Sequence, residues 1–189
     1  MDLVTPPWDE STRPSVEPSA DDSTTARGAA AGQHLVEVHD HYRAELSQLR
    51  DVLEQVRAGA VGAGSARSAL NEMAVRANTW VLGSVCQTYC LALTQHHSME
   101  DAAVFPHLAA QRDGLAAVID RLGEEHVAIH ELLEAVDRAL VDLVREPVDL
   151  TAVDTAVEAL TGALLSHFAY EERELVGPLS RHGFYAGQV

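Results

Sequence analysis

Apolar residues recur at steps of three and four over most of the chain, and nowhere alternate with polar ones for long enough to make a strand. Leu35, Val38, Tyr42, Leu46, Leu49, Leu53 and Val56 form one stripe, which predicts a first helix broken by the stretch AGAVGAGSA at Ala58 to Ala66. A second helical region runs from about Ser68 to Ala110, and its length requires a bend, expected at Gly83 or around Asn78. The third, from about Leu115 to Val144, carries Ile119, Leu122, Ile129, Leu133, Val136 and Leu140 on one face and stops ahead of Pro147. The fourth extends from about Leu150 to Leu179. Four such segments with short connections predict an all-α fold, an up-and-down antiparallel four-helix bundle over residues 29–185. Residues 1–28 are rich in Pro, Ser, Thr and Asp without apolar periodicity, which predicts a disordered acidic tail, and residues 186–189 make a short C-terminal tail.

Composition narrows the partners. The chain has 29 acidic against 13 basic residues, a net charge of -16, which repels phosphate and argues against nucleic acid or an anionic membrane surface. It has no apolar run of transmembrane length and no basic-then-apolar leader, so a cytoplasmic location is expected. Cys86 and Cys90 fall on adjacent turns of one helix, where a disulfide would be strained; they read as small apolar core residues in a reducing compartment. The acidic tail, with its lone Trp8, is the segment left for a protein partner.

Ten histidines against three phenylalanines is an unusual balance, and their positions are more unusual still. Successive helical side chains are rotated by about 100°, so each histidine can be assigned a face. His39 lies on the apolar stripe of the first helix, whereas His34 and His41 turn away. His96 follows Leu82, Val85, Tyr89 and Leu93 along one line, with Glu100 a turn further on. His126 and His130 form an i, i+4 pair on the face of Ile119 and Leu133. His167 continues the line of Leu160 and Ala163, followed by Glu171. In an up-and-down bundle the starts of helices one and three and the ends of two and four share one level. His39, His96, Glu100, His126, His130, His167 and Glu171 are therefore expected to meet there.

Burying ionised carboxylates without compensation costs several kcal/mol each, and a bound cation removes that cost. Seven donors exceed what one ion takes while keeping an open position, so two carboxylate-bridged ions are favoured. Imidazole with carboxylate and no thiolate suits iron, with manganese or zinc as substitutes. The Glu-x-x-His pairs of ferritin-like bundles are not in the required places, because here the histidine precedes the acid. His97 and Asp40, about 100° off the inward lines, read as solvated. His107 lies about three turns beyond His96, too far to join, and His182 has no assigned role. Tyr42, Tyr89 and Tyr170 read as core aromatics with satisfied hydroxyls, the alternative being that one is a ligand or redox relay.

The blocks VHDHYR, HHSMEDAAVFP, EEHVAIH and HFAYEERE, in that order between about Gly32 and Tyr185, resemble the hemerythrin-like (HHE cation-binding) family. The second and fourth blocks look like its actinobacterial members. The resemblance implies a four-helix bundle around a non-haem di-iron centre, two iron ions joined by an oxo or hydroxo bridge. It makes His39 the first-helix ligand, His96 and Glu100 the second-helix pair with Glu100 bridging, His126 and His130 the third-helix pair, and His167 with an acid the fourth. Oxygen-carrying members place an aspartate five residues after the last histidine, where this chain has Glu172. That residue would point about 140° from His167, so Glu171 is the expected ligand, and this departure from the oxygen carriers makes reversible oxygen storage the weaker expectation. The resemblance implies instead a cytosolic di-iron protein that meets peroxide, nitric oxide or dioxygen, in oxidative or nitrosative stress or in iron handling. Two versions stay open: a catalase-like or nitric-oxide-consuming enzyme, and a dioxygen or iron sensor or store acting through a partner.

Overall fold

A computed structural model describes residues 6–16, 24–61, 86–111, 113–145 and 150–184. Four long helices dominate: α1 (Ala26–Val61), α2 (residues 86–109), α3 (Ala116–Arg145) and α4 (Thr151–His182), with no strand among the described residues. No helix among the described residues is long and apolar enough to cross a membrane. α1 does not break at Ala58 but continues to Val61, because a single Gly59 costs a helix only about 1 kcal/mol and its alanine neighbours favour it. The positions where a bend was expected, Gly83 and Asn78, and the helix stop at Pro147 lie outside the described residues.

The interior follows the apolar periodicity. α1 buries Leu35, Tyr42, Leu46, Leu49, Leu53 and Val56, with His39 occupying a core position on the same stripe. On α3 the buried line is Val118, Leu122, Glu125, Ile129, Leu133, Val136, Leu140 and Leu143, the predicted face with Val118 in place of Ile119. The line therefore runs through Glu125 and leaves His126 at its edge. Cys86 is buried and Cys90 partly so, both as free thiols against this core; burial pushes them up to about 12 and about 11, which makes them poor nucleophiles.

α1 and α4 lie side by side with opposite directions: Gly28 meets Ser180, Arg43 pairs with Glu172, and Arg50 pairs with Glu158. Their approach is closest at Gly28 and Gly32. A Cβ on Gly28 would run into the Ser180 carbonyl oxygen, and one on Gly32 would stand 2.8 Å from that of Val176. Gly28→Ala is therefore expected to destabilise the fold by about 1–3 kcal/mol in urea denaturation, although alanine is the better helix former. Gly123→Ala, where nothing stands within 4 Å, should instead stabilise by up to about 1 kcal/mol.

α2 departs from regular geometry at one place. Residues Glu100–Val104 form a π turn, closed by the Phe105 amide donating to the Glu100 carbonyl, just ahead of Pro106. Proline has no amide to donate and its ring crowds the carbonyl four residues back, so the turn before it widens. The extra residue keeps Glu100 inward while Val104, Phe105 and Leu108 still reach the core.

Part of the segment expected to be disordered is packed. Residues 6–16 lie along the bundle, with a short 3-10 turn at Glu10–Thr12 capped by the Asp9 side chain, which accepts from the Ser11 amide at 2.9 Å. Trp8 and Val16 pack against the two halves of the core. Average composition conceals these contacts, which depend on a few side chains. The expectation of disorder over the remainder of 1–23 falls largely outside the described residues, and residues 26–28 already belong to α1.

Candidate metal centre

His39 from α1, His96, His97 and Glu100 from α2, His126 from α3, and His167 and Glu171 from α4 are buried together at one level of the bundle. Their donor atoms fall into three overlapping groups, each within 4.8 Å: His39, His96 and Glu100; His97, His126 and His167; Glu100, His126 and Glu171. The carboxylates stand between the two sets of imidazoles. Glu100 aims Oε1 at His96 Nε2, 3.2 Å away, and Oε2 at His126 Nε2, 3.8 Å away. Glu171 Oε2 lies 3.4 Å from His39 Nε2 and 3.5 Å from His167 Nε2.

The outer face of three rings is fixed by carboxylates. His39 Nδ1 bonds Glu172 at 2.9 Å, His126 Nδ1 bonds Asp101 at 2.8 Å, and His167 Nδ1 bonds Glu125 at 3.1 Å. A neutral imidazole that donates from Nδ1 holds its lone pair on Nε2, here directed into the cluster. Burial lowers the His96 pKa to about 3 and drives His97 and His167 down as well, so these rings are neutral and ready to coordinate. Burial, together with the neighbouring Glu171, pushes Glu100 well above the usual carboxylate range. Glu125 is buried too, which opposes its charge, yet the bonds from His167 and Arg13 hold it at about 2.

The fit to metal ions is tested by what these atoms lack. The Nε2 atoms of His39, His96, His97, His126 and His167 and both oxygens of Glu100 and Glu171 are buried with no hydrogen-bond partner. Native proteins leave very few such atoms, because each costs about 1–3 kcal/mol. Lone pairs facing lone pairs repel, whereas two donors each about 2.1 Å from a shared ion stand about 3.0–3.4 Å apart. The His96–Glu100, His39–Glu171 and His167–Glu171 separations of 3.2, 3.4 and 3.5 Å suit that arrangement. The residues fit cations.

Two placements differ from the sequence reading. His130, expected in the cluster, is exposed at the surface, its side chain 57% accessible and 3.6 Å from Glu134. The cause is the angular limit of the buried face on α3: His126 is at its edge, and a further 40° or so carries His130 into solvent. His97, read as solvated, is buried with its ring stacked on His126 at 4.1 Å. α2 is wedged between neighbours, so its inward arc is wide enough for adjacent residues to face the interior on two sides. Glu125, which the sequence reading did not single out, was discernible: it stands three residues after Leu122 and four before Ile129, a core position occupied by an acid.

The remaining candidates have other partners. Glu171 faces the cluster, while Glu172 lies outside it, bonded to His39 and at 2.7 Å to Arg43. Asp40 is exposed and paired with Arg43. Tyr42 donates to the Ala92 carbonyl at 3.0 Å, and Tyr170 to the Pro14 carbonyl at 2.7 Å. Tyr89 differs from the expected satisfied aromatic, since its buried hydroxyl has no partner among the described residues. His107 contacts the Gly183 carbonyl at 2.8 Å and His182 contacts Asp113 at 2.6 Å, both around the end of α4. There Gly183 adopts φ +68°, a conformation that favours glycine and ends the helix.

A cleft of about 270 Å³ opens on the α2–α3 side, lined by Thr94, Ser98, Asp101, Val127, His130 and Leu133, with His97 and His126 in its wall. It offers a route for something small to the cluster's edge. Neither the curated proteins nor the solved structures contain a match to the chain. The family model of the hemerythrin HHE cation-binding domain matches residues 30–179, which hold every cluster residue, and the chain belongs to that family.

Proposed function

We propose that this hemerythrin-domain protein holds two iron ions and meets a small oxidant, peroxide, nitric oxide or dioxygen, in the cytoplasm, within an up-and-down antiparallel bundle. The observation that carries this reading is the set of nine partnerless donor atoms facing one another inside the bundle. His39 and His96 would hold one ion and His97, His126 and His167 the other, with Glu100 and Glu171 spanning both. Manganese or zinc would suit the same donors less specifically. A pair of iron ions supplies redox equivalents and an open coordination position for a small ligand.

The residues around the ions govern access and orientation. Glu172, Asp101 and Glu125 keep the three rings they touch turned toward the ions. The cleft beside His97 and His126 admits a diatomic or peroxide-sized molecule, while Phe105 stacked on His126 and Phe168 stacked on His39 cover other sides. Protein purified without chelators should contain two irons per chain, with Mössbauer spectra of a coupled ferric pair. One zinc per chain would overturn the reading. Oxygen evolution from peroxide or consumption of nitric oxide separates the enzyme from the sensor or store, which predicts a reversible oxy charge-transfer band instead.

A further inference from the structure

The segment that composition assigns to disorder reaches the centre from outside. Along α4 it makes contacts at one-turn intervals: Glu10 accepts from the Ser166 hydroxyl, the Pro14 carbonyl accepts from Tyr170 at 2.7 Å, and the Val16 amide donates to Glu174 at 3.1 Å. Between these, Arg13 turns inward. Its Nε and Nη2 donate to the two oxygens of Glu125, each at 2.8 Å, and its guanidinium lies over the rings of Tyr170 and Trp8, 4.5 and 5.5 Å from their centroids. Arg13 and Glu125 are 6% and 1% exposed, so this two-pronged ion pair is buried.

Glu125 in turn bonds His167 Nδ1, and His167 Nε2 faces Glu171. We propose that residues 6–16 form a strap that completes the metal centre, with Arg13 as a positioning residue that orients His167 through Glu125. The proposal rests on the reading that the cluster holds metal. A carboxylate that accepts from a ring nitrogen is free to rotate unless something holds its other lone pairs, and a planar guanidinium holds both oxygens in one plane. Arg121 also reaches Glu125, by one bond of 3.1 Å to Oε1, the oxygen that His167 does not use; Arg13 adds the shorter, two-pronged hold on both oxygens. His39 and His126 are oriented by carboxylates of the helices themselves, Glu172 and Asp101. Only the carboxylate on His167 is tied to the strap among these three.

The test compares full-length parent, Arg13→Ala, Arg13→Lys, Glu125→Gln and the Arg13→Ala/Glu125→Gln double variant, loaded anaerobically with ferrous iron and competed against a colorimetric chelator. Loss of a group that orients a metal-binding histidine typically weakens affinity by about 10–100-fold, which is the expectation for Arg13→Ala, with a smaller loss for Arg13→Lys. Because Arg13 acts through Glu125, the double variant should be no weaker than Glu125→Gln alone. In metal-free protein, nitrogen NMR shifts should place the His167 proton on Nδ1 in the parent and show mixed tautomers in Arg13→Ala. Should the alanine variant fail to fold, the lysine variant carries the same comparison. A folded variant with parental affinity, or losses that multiply in the double variant, overturns the strap alone. A parent that takes up no iron overturns the metal reading and the strap with it.

Discussion

Glu100→Ala is expected to lose both ions, His97→Ala to hold one of the two more weakly, and His130→Ala to retain both. Glu100 is 1% exposed and directs its two oxygens at imidazoles of different groups, so no other single side chain apart from Glu171 could serve both positions. Removing it would leave Glu171 as the one carboxylate shared by two ions, whose mutual repulsion in a buried site is large at low effective dielectric. His97 belongs to the three-imidazole group, and its loss would cut that group to His126 and His167 beside the two shared carboxylates, which weakens the site without abolishing it. His130 is exposed, paired with Glu134 at the rim of the cleft and outside the three donor groups. Iron content by plasma emission, with circular dichroism as a check on folding, decides among these outcomes. If His130→Ala empties the protein as fully as Glu100→Ala, the ligand set assigned to α3 is wrong.

Stripping the metal should lower the melting temperature by about 8–16 °C. A ligand present at a thousand times its dissociation constant stabilises the native state by about 4 kcal/mol, and in a chain of this size each kcal/mol moves the midpoint by about 2–4 °C. The metal-free site has little to substitute for the ions. Its inward imidazole nitrogens and carboxylate oxygens have no hydrogen-bond partners, and Glu100 is driven toward its neutral form by burial and by Glu171. Calorimetry before and after exhaustive chelation measures the difference, and restoring ferrous iron should recover it. An unchanged midpoint would mean that the cluster is a self-sufficient polar network.

Much of this centre is legible from helical periodicity. His39 falls on the stripe of Leu35, Tyr42 and Leu46, and His96 with Glu100 continues the line of Tyr89 and Leu93, because a 3.6-residue period gives these positions one face. The matched depth of the side chains also follows from helix order once opposite directions are assumed. The misplaced histidines lie at the edges of a buried face. On α3 the face of Leu122, Ile129 and Leu133 extends to Val118 and Glu125; extending it to Ile119 instead turns His130 inward and leaves Glu125 unnoticed. The π turn at Glu100–Val104 was likewise invisible to a periodicity of fixed step, although Pro106 is its cause.

The strap teaches a related lesson from the opposite side. Summed over 1–28, low apolar content argues for disorder, since few side chains offset the entropy of ordering the backbone. What orders 6–16 is local: Trp8 and Val16 on the core, and Arg13 buried against Glu125, a core-line acid that also bonds His167.

Sequence by itself determined the class of this protein: amphipathic helices, histidines and acids on core-facing lines, and the motif order of a cation-binding family. Tertiary packing decided which histidines at the edge of a helix face enter the centre, His97 and not His130, and which acids stand behind the rings. The reason is angular. One residue step turns a helix by about 100°, comparable to the arc that a helix buries, so only the positions of adjacent helices settle which edge of that arc is inside.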